Sequence, residues 1–110
     1  MSSPHKFHIR HYLTSDGKDL YEEWLETLDR RVADRIDAYV TRMESGNFGT
    51  TRSVGEGILE LKIDFGPGYR VYFLRDSEQI VVLLCGEDKG DQPRDILKAR
   101  RLGADYWRRK

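Results

Sequence analysis

Four cations carry the chemistry open to this chain. Lys62 and Arg70 lie on neighbouring β-type runs, each on the side opposite the apolar residues of its run. Lys89 and Arg94 follow just past a third run and could reach the same patch. Cations held on a rigid sheet suit a phosphate ligand, and arginine offers a planar fork for its oxygens. The alternative is an ordinary solvated sheet face, since half-exposed antiparallel sheets commonly carry charge there.

The elements that must position these residues are read from the period of the apolar residues. In Ile58 to Asp64, Leu59, Leu61 and Ile63 alternate with Glu60, Lys62 and Asp64, the pattern of a strand with one buried face. Phe65-Gly66-Pro67-Gly68 is a turn, because proline presets φ and glycine permits positive φ. Tyr69 to Arg75 alternates again, with Tyr69, Val71 and Phe73 opposite Arg70, Tyr72 and Leu74. Asp76 to Gln79 makes a second turn, and Ile80 to Cys85 is apolar enough to be covered on both faces. The stretch reads as a β-meander followed by a charged loop, Gly86 to Gln92.

Lys6 to Tyr12 predicts an earlier strand, and Met1 to His5 a loose end. A helix is expected over Asp19 to Leu28, where Leu20, Trp24 and Leu28 recur every fourth residue. A second is expected over Asp29 to Ser45, with Val32, Ile36, Tyr39, Val40 and Met43 as its apolar stripe and Gly46-Asn47 as its stop. Asn47 to Gly57 reads as a polar loop without a phosphate-binding glycine motif. A third helix opens at Asp91 or Gln92, with Pro93 at or near its first position and Gly103 ending or fraying it. Tyr106 and Trp107, set among basic residues, either dock on the core or contact a partner, and docking is the expectation because large aromatics usually bury. The order is β-α-α-β-β-β-α, an α+β domain in which a helical pair covers a twisted antiparallel sheet. If the first two strands were neighbours, the even number of helices between them would make them antiparallel.

The 110 residues suit one domain with one modest core. Lys and Arg total 19, as do Asp and Glu, so the overall basicity that advertises nucleic acid is absent. The charge is polarised, however: residues 58–110 hold 11 basic and 9 acidic residues, and residues 1–57 hold 8 and 10. Cys85 is the only cysteine, which excludes an internal disulfide, and its apolar surroundings fit a small buried hydrophobe. His5, His8 and His11 fail the usual zinc spacings, and no metal or cofactor is expected. No apolar run approaches the ~20 residues of a membrane span, and the N-terminus lacks a signal-peptide pattern. A cytoplasmic protein is expected.

The runs LELKIDFGPGYRVYF (59–73) and VLLCGEDKGDQPRDI (82–96), preceded by WLETLDRRVADRI (24–36), resemble the RelE/ParE superfamily of toxin–antitoxin toxins. The nearest branch is the phage-derived, HigB-like group of addiction-module killer proteins. The resemblance covers about residues 7–102 and rests on LxIDxGPGYRVYF, a downstream GxDK loop and an RDI helix start. It implies a RelE-like α+β fold. It also implies a ribosome-dependent endoribonuclease that cuts mRNA without a metal or organic cofactor. The implied partners are the ribosome, mRNA and an adjacently encoded antitoxin, commonly of helix-turn-helix type. The ParE branch instead poisons DNA gyrase, which leaves a binding inhibitor as the alternative.

Carried onto this chain, the resemblance gives Arg70, in the GYR triplet, the role of clamping the scissile phosphate. Lys62 matches the basic residue of the preceding strand, as a base or a charge stabiliser, and Lys89 matches the loop cation, as an acid or phosphate contact. Arg94 and Arg75 are candidate RNA contacts. Two features depart from the nuclease pattern. No aromatic follows Lys89 before Tyr106, and Asp88, Asp91 and Asp95 bring negative charge to the same region.

Overall fold

A computed structural model describes residues 6–88 and 90–110. The expectations for Met1 to His5 and for Lys89 lie outside the described residues. A five-stranded sheet is built from β1 (His8–His11), β2 (Thr50–Ser53), β3 (Ile58–Ile63), β4 (Tyr69–Ser77) and β5 (Ile80–Asp88). Helices α1 (Leu20–Glu26) and α2 (Arg30–Thr41) lie between β1 and β2, and α3 (Gln92–Arg109) closes the chain. The α+β class and the meander stand as the sequence predicts.

The spatial order is β1-β5-β4-β3-β2, antiparallel except for the parallel pair β1–β5. The sequence expectation differs here in two linked ways. Thr50–Ser53 is a strand, within a stretch expected to be a loop. That extra strand adds one reversal of the chain, so β3 runs in the same direction as β1 and does not neighbour it. The edge strand β2 is polar on both sides and carries no alternation to reveal it.

Both faces of the sheet are covered. On one, Leu61, Ile63, Val71, Phe73, Val81 and Leu83 pack against Tyr21, Leu25, Ile36, Val40 and Met43. On the other, Ile58, Tyr72, Leu74, Val82, Leu84 and Cys85 pack with Ala99 of α3. Leu20, expected on the first face, packs with the second cluster together with Ile96, Leu102 and Tyr106. Residues 81–85 are buried throughout, as a strand sandwiched between helical layers should be.

Local chemistry sets the helix ends. Asp19 caps α1 by accepting from the Glu22 amide, and Asp29 caps α2 by accepting from Arg31. A 3-10 turn, Arg42–Ser45, extends α2 to Gly46, whose φ of 93° makes the left-handed stop. Asp91 caps α3, with Pro93 in its first turn. Gly103 does not end α3. It lies buried inside the helix, where an added β-carbon would stand 2.5 Å from Ile58 Cδ1, so its role is close packing of helix on sheet. Beyond it, Tyr12 donates to Asp105 at 2.6 Å, and Tyr106 donates to Asp76. Tyr106 is thus docked as expected, whereas Trp107 remains 45% exposed.

Strand β5 also outruns its expected end at Cys85. Gly86, Glu87 and Asp88 pair with Val71, Arg70 and Tyr69. Gly86 is needed there, because Trp24 of α1 lies across it and a β-carbon would meet the indole at 2.0 Å. The indole nitrogen donates to Asp88 Oδ1 at 2.8 Å.

Candidate functional site

The site grows out of strand register. Lys62 of β3 stands directly opposite Arg70 of β4, and Thr50 of β2 stands opposite Lys62. Alternation puts all three side chains on the α3 face of the sheet, beyond the end that the helix covers. Neighbouring strands lie about 4.8 Å apart, so this row spans about 10 Å. The adjacent row is Arg52, Glu60 and Tyr72, again paired directly across three strands.

The two rows and the first turn of α3 enclose a cleft of about 310 Å³, lined by Thr50, Thr51, Arg52, Glu60, Lys62, Arg70 and Gln92. Its charged lining is three cations against one carboxylate, net +2, in a chain whose formal charge is zero. A second cleft, lined by Lys62, Asp64, Pro67, Gly68, Tyr69 and Arg70, begins on the other side of the Lys62–Arg70 pair. The two cations therefore form a shared wall, open on both sides.

Beneath the cleft lies Glu60, only 3% exposed. Its Oε2 accepts from the Tyr72 hydroxyl at 3.0 Å and from Gln92 Nε2 at 2.9 Å. Its Oε1 accepts from Arg52 Nε at 3.0 Å. Burial pushes this carboxyl up, but the hydrogen bonds from Gln92, Arg52 and Tyr72 outweigh burial and hold it below the ordinary glutamate range. Tyr72 moves the other way: burial and the Glu60 carboxylate push its phenol far above the usual tyrosine value.

Lys62 is exposed and has no ion-pair or hydrogen-bond partner among the described residues. Arg70 is 19% exposed, with Nε 3.9 Å from Glu60 Oε2, a loose contact beside the three short bonds Glu60 makes elsewhere. Its neighbour on β5, Glu87, is taken by Lys98 at 3.1 Å. Burial lowers the Lys98 ammonium, but the bond to Glu87 outweighs it and raises the group above its ordinary value. Asp95 is pushed above its ordinary value by burial and then by Glu87 and Asp91.

The structure brings Lys62 and Arg70 together and sets Arg75 and Arg94 apart from them. Arg75 lies on the opposite face of β4, with its guanidinium 4.9 Å from the Phe7 ring centroid and 5.4 Å from that of Phe48. Arg94 sits 80% exposed on α3, with Nε 3.5 Å from the capping Asp91, and lines neither cleft. Asp88, whose charge the sequence places near the cations, turns instead to Trp24 on the far face. Arg52, Gln92 and Glu60 were not foreseen as site residues. Arg52 is on the strand without a sequence signal, and Glu60 reads as an ordinary solvent-facing strand residue. Gln92 had only its place beside Pro93 to mark it.

Cys85 is a buried thiol whose pKa burial pushes up to about 12, consistent with a packing role. The ligand atoms of His11, Asp19 and Glu22 lie within 4.8 Å of one another, away from the cleft. Asp19 there bonds His11 at 2.7 Å and caps α1, which accounts for the cluster structurally. No described helix is long and apolar enough to cross a membrane.

The family model described as Phage derived protein Gp49-like (DUF891) matches residues 23–102. That span runs from α1 into α3 and contains both rows of the cleft. A Haemophilus influenzae protein, described as an uncharacterized protein, is 43% identical over 86 residues, covering 77% of this chain and 87% of the relative.

Proposed function

The chain belongs to the Gp49-like family of phage-derived proteins, a toxin-like addiction-module family, and from that premise we propose that it is a toxin of the RelE/HigB type that cuts mRNA on the ribosome. The observation that carries this reading is the direct opposition of Lys62 and Arg70 on an open cleft. Two adjacent cations held by two paired strands match the doubly charged phosphorane through which RNA cleavage passes.

In that reaction the ribose 2′-oxygen bonds to the neighbouring phosphorus and the bond from phosphorus to the 5′-oxygen breaks. The 2′-hydroxyl gives its proton to solvent water, and the leaving 5′-oxygen takes one up. Arg70 clamps the non-bridging oxygens through its fork, while Lys62 adds a charge that strengthens as negative charge builds. The loop cation Lys89 is given the leaving oxygen on the resemblance alone. The phenol of Tyr72 stays protonated at neutral pH, so it acts through Glu60 and not as a base. No cofactor enters the scheme, and the setting is cytoplasmic.

The proposed partners are the ribosome with its mRNA and a small antitoxin of helix-turn-helix type encoded beside the toxin. Induced expression, followed by primer-extension mapping of cellular mRNA with and without the neighbouring gene, tests the proposal. New 5′ ends that vanish when the neighbour is co-expressed support it. A second reading, inhibition by occupation of a target such as DNA gyrase, draws on one observation: among the described residues, no aromatic side chain lines the cleft beside Arg52 to stack a base. Growth arrest without new mRNA ends selects that reading.

A further inference from the structure

We propose that Arg52 forms a second phosphate subsite, binding the phosphodiester next to the one held by Lys62 and Arg70. The inference rests on the nucleic-acid reading of the cleft and extends it to a residue with no assigned role. Arg52 is on β2, diagonal to Lys62 across the β2–β3 ladder, and lines the same cleft.

Its geometry differs from that of the other surface arginines. Arg94 and Arg108 pair with carboxylates of their own helix, Asp91 and Asp105, at 53% and 20% exposure. Arg52 pairs with a carboxylate that is 3% exposed and already fixed by donors from β4 and α3. The bond uses Nε, at 3.0 Å. The side chain is still 60% exposed, and neither Nη group has a partner among the described residues. A guanidinium held by one edge, with its other edge in an open cationic cleft, is preorganised for an oxyanion.

The surroundings leave room for a nucleic-acid strand. β2 is the sheet edge and, among the described residues, pairs with β3 alone. Its far end is anchored by Arg100, whose Nε donates to the Val54 carbonyl at 2.9 Å, so the edge carrying Arg52 is held in place. Thr50, in the Lys62–Arg70 row, lines the same cleft and supplies a hydroxyl to its surface. A backbone crossing from Arg70 over Lys62 towards β2 would meet Thr50 opposite Lys62, with Arg52 two residues further along the same edge.

The test uses a short fluorescent single-stranded deoxyribo-oligonucleotide, which lacks the attacking hydroxyl and reports binding alone. Affinity is measured by anisotropy over a series of salt concentrations, because each phosphate contact on a single strand adds about 0.7 to the slope of log affinity against log salt. Arg52→Gln is expected to lower the slope by about 0.7 and weaken low-salt binding several-fold. Glutamine can still donate to Glu60, and an unchanged thermal midpoint verifies the fold. Arg52→Lys should retain the slope and recover only part of the affinity, since one ammonium cannot hold Glu60 and a phosphate in a fork. Arg31→Gln, on α2, should change neither. If Arg52→Gln leaves slope and affinity at wild-type values while Arg70→Ala lowers both, the subsite is wrong and the reading of the cleft survives. If the wild-type protein does not bind the oligonucleotide even at low salt, both fall.

Discussion

The hydroxyl of Tyr72 donates to the buried carboxylate of Glu60 at 3.0 Å, directly beneath the cleft that Lys62 and Arg70 wall. That bond joins β4 to β3, and Gln92 and Arg52 extend it to α3 and β2. Four elements thus meet at one carboxylate. Removing it leaves three donors without their acceptor, so Glu60→Ala should cost about 3 kcal/mol of folding stability. Tyr72→Phe removes one bond and should cost about 1 kcal/mol. Chemical denaturation of the two variants checks the ranking; equal losses would contradict it.

Glu60 also sets a pH dependence. Its folded-state pKa lies below the ordinary value, so it binds its proton more weakly folded than unfolded. The stabilisation it contributes is complete above the unfolded glutamate value of about 4.3 and is lost as pH falls through the lower folded value. Thermal midpoints of wild type and Glu60→Gln should therefore differ at neutral pH and draw together as pH falls below the unfolded glutamate value of about 4.3. A gap that stays constant across this range would mean that the Glu60 charge is not what stabilises the network.

Two buried glycines should respond differently to the same change. At Gly86 an added methyl meets the Trp24 indole, a rigid ring further held by Asp88, at 2.0 Å. Gly86→Ala should cost about 1–3 kcal/mol. At Gly103 the obstacle is Ile58 Cδ1 at 2.5 Å, the far end of a flexible side chain. Alanine is also about 1 kcal/mol better than glycine within a helix, so Gly103→Ala should lie within about 1 kcal/mol of wild type. Thermal unfolding separates the two cases.

The main core ranks above both. Ile36 and Phe73 are fully buried between α2 and the sheet. Ile36→Ala and Phe73→Ala should each cost roughly 2–5 kcal/mol through lost transfer energy and the cavity left behind. Losses under about 1 kcal/mol would show that the helical layer does not pack as described.

The strands of the meander were legible because Leu59, Leu61, Ile63, Tyr69, Val71 and Phe73 alternate with polar residues over a buried face. The same alternation puts Lys62 and Arg70 on one side of the sheet, though it does not say that they stand directly opposite each other. β2 was illegible for the opposite reason: Thr50 to Ser53 forms a mostly exposed edge without an apolar face, and Arg52 was hidden with it. Glu60 misled because a strand pattern says which face a residue takes but not how deep that face lies once α3 packs on it. Gly103 misled because a glycine that ends a helix and one that lets a helix approach a sheet look alike in sequence. The orientation of Asp88 depends on β5 continuing past Cys85 through an irregular register between Tyr72 and Phe73, which no local signal announces.

Arg70 is proposed to act on the scissile phosphate, and translation of a defined mRNA on ribosomes, scored for cut products, checks this. Arg70→Ala should lower cleavage by about 10²-fold or more, the scale for losing one preorganised charge stabiliser. Arg70→Lys keeps the charge and the aliphatic stem, so it should fold like wild type yet recover only part of the activity. Thermal midpoints measured on the same samples separate loss of activity from loss of fold, which matters for a side chain only 19% exposed. Cleavage by Arg70→Ala at the wild-type rate would contradict the account.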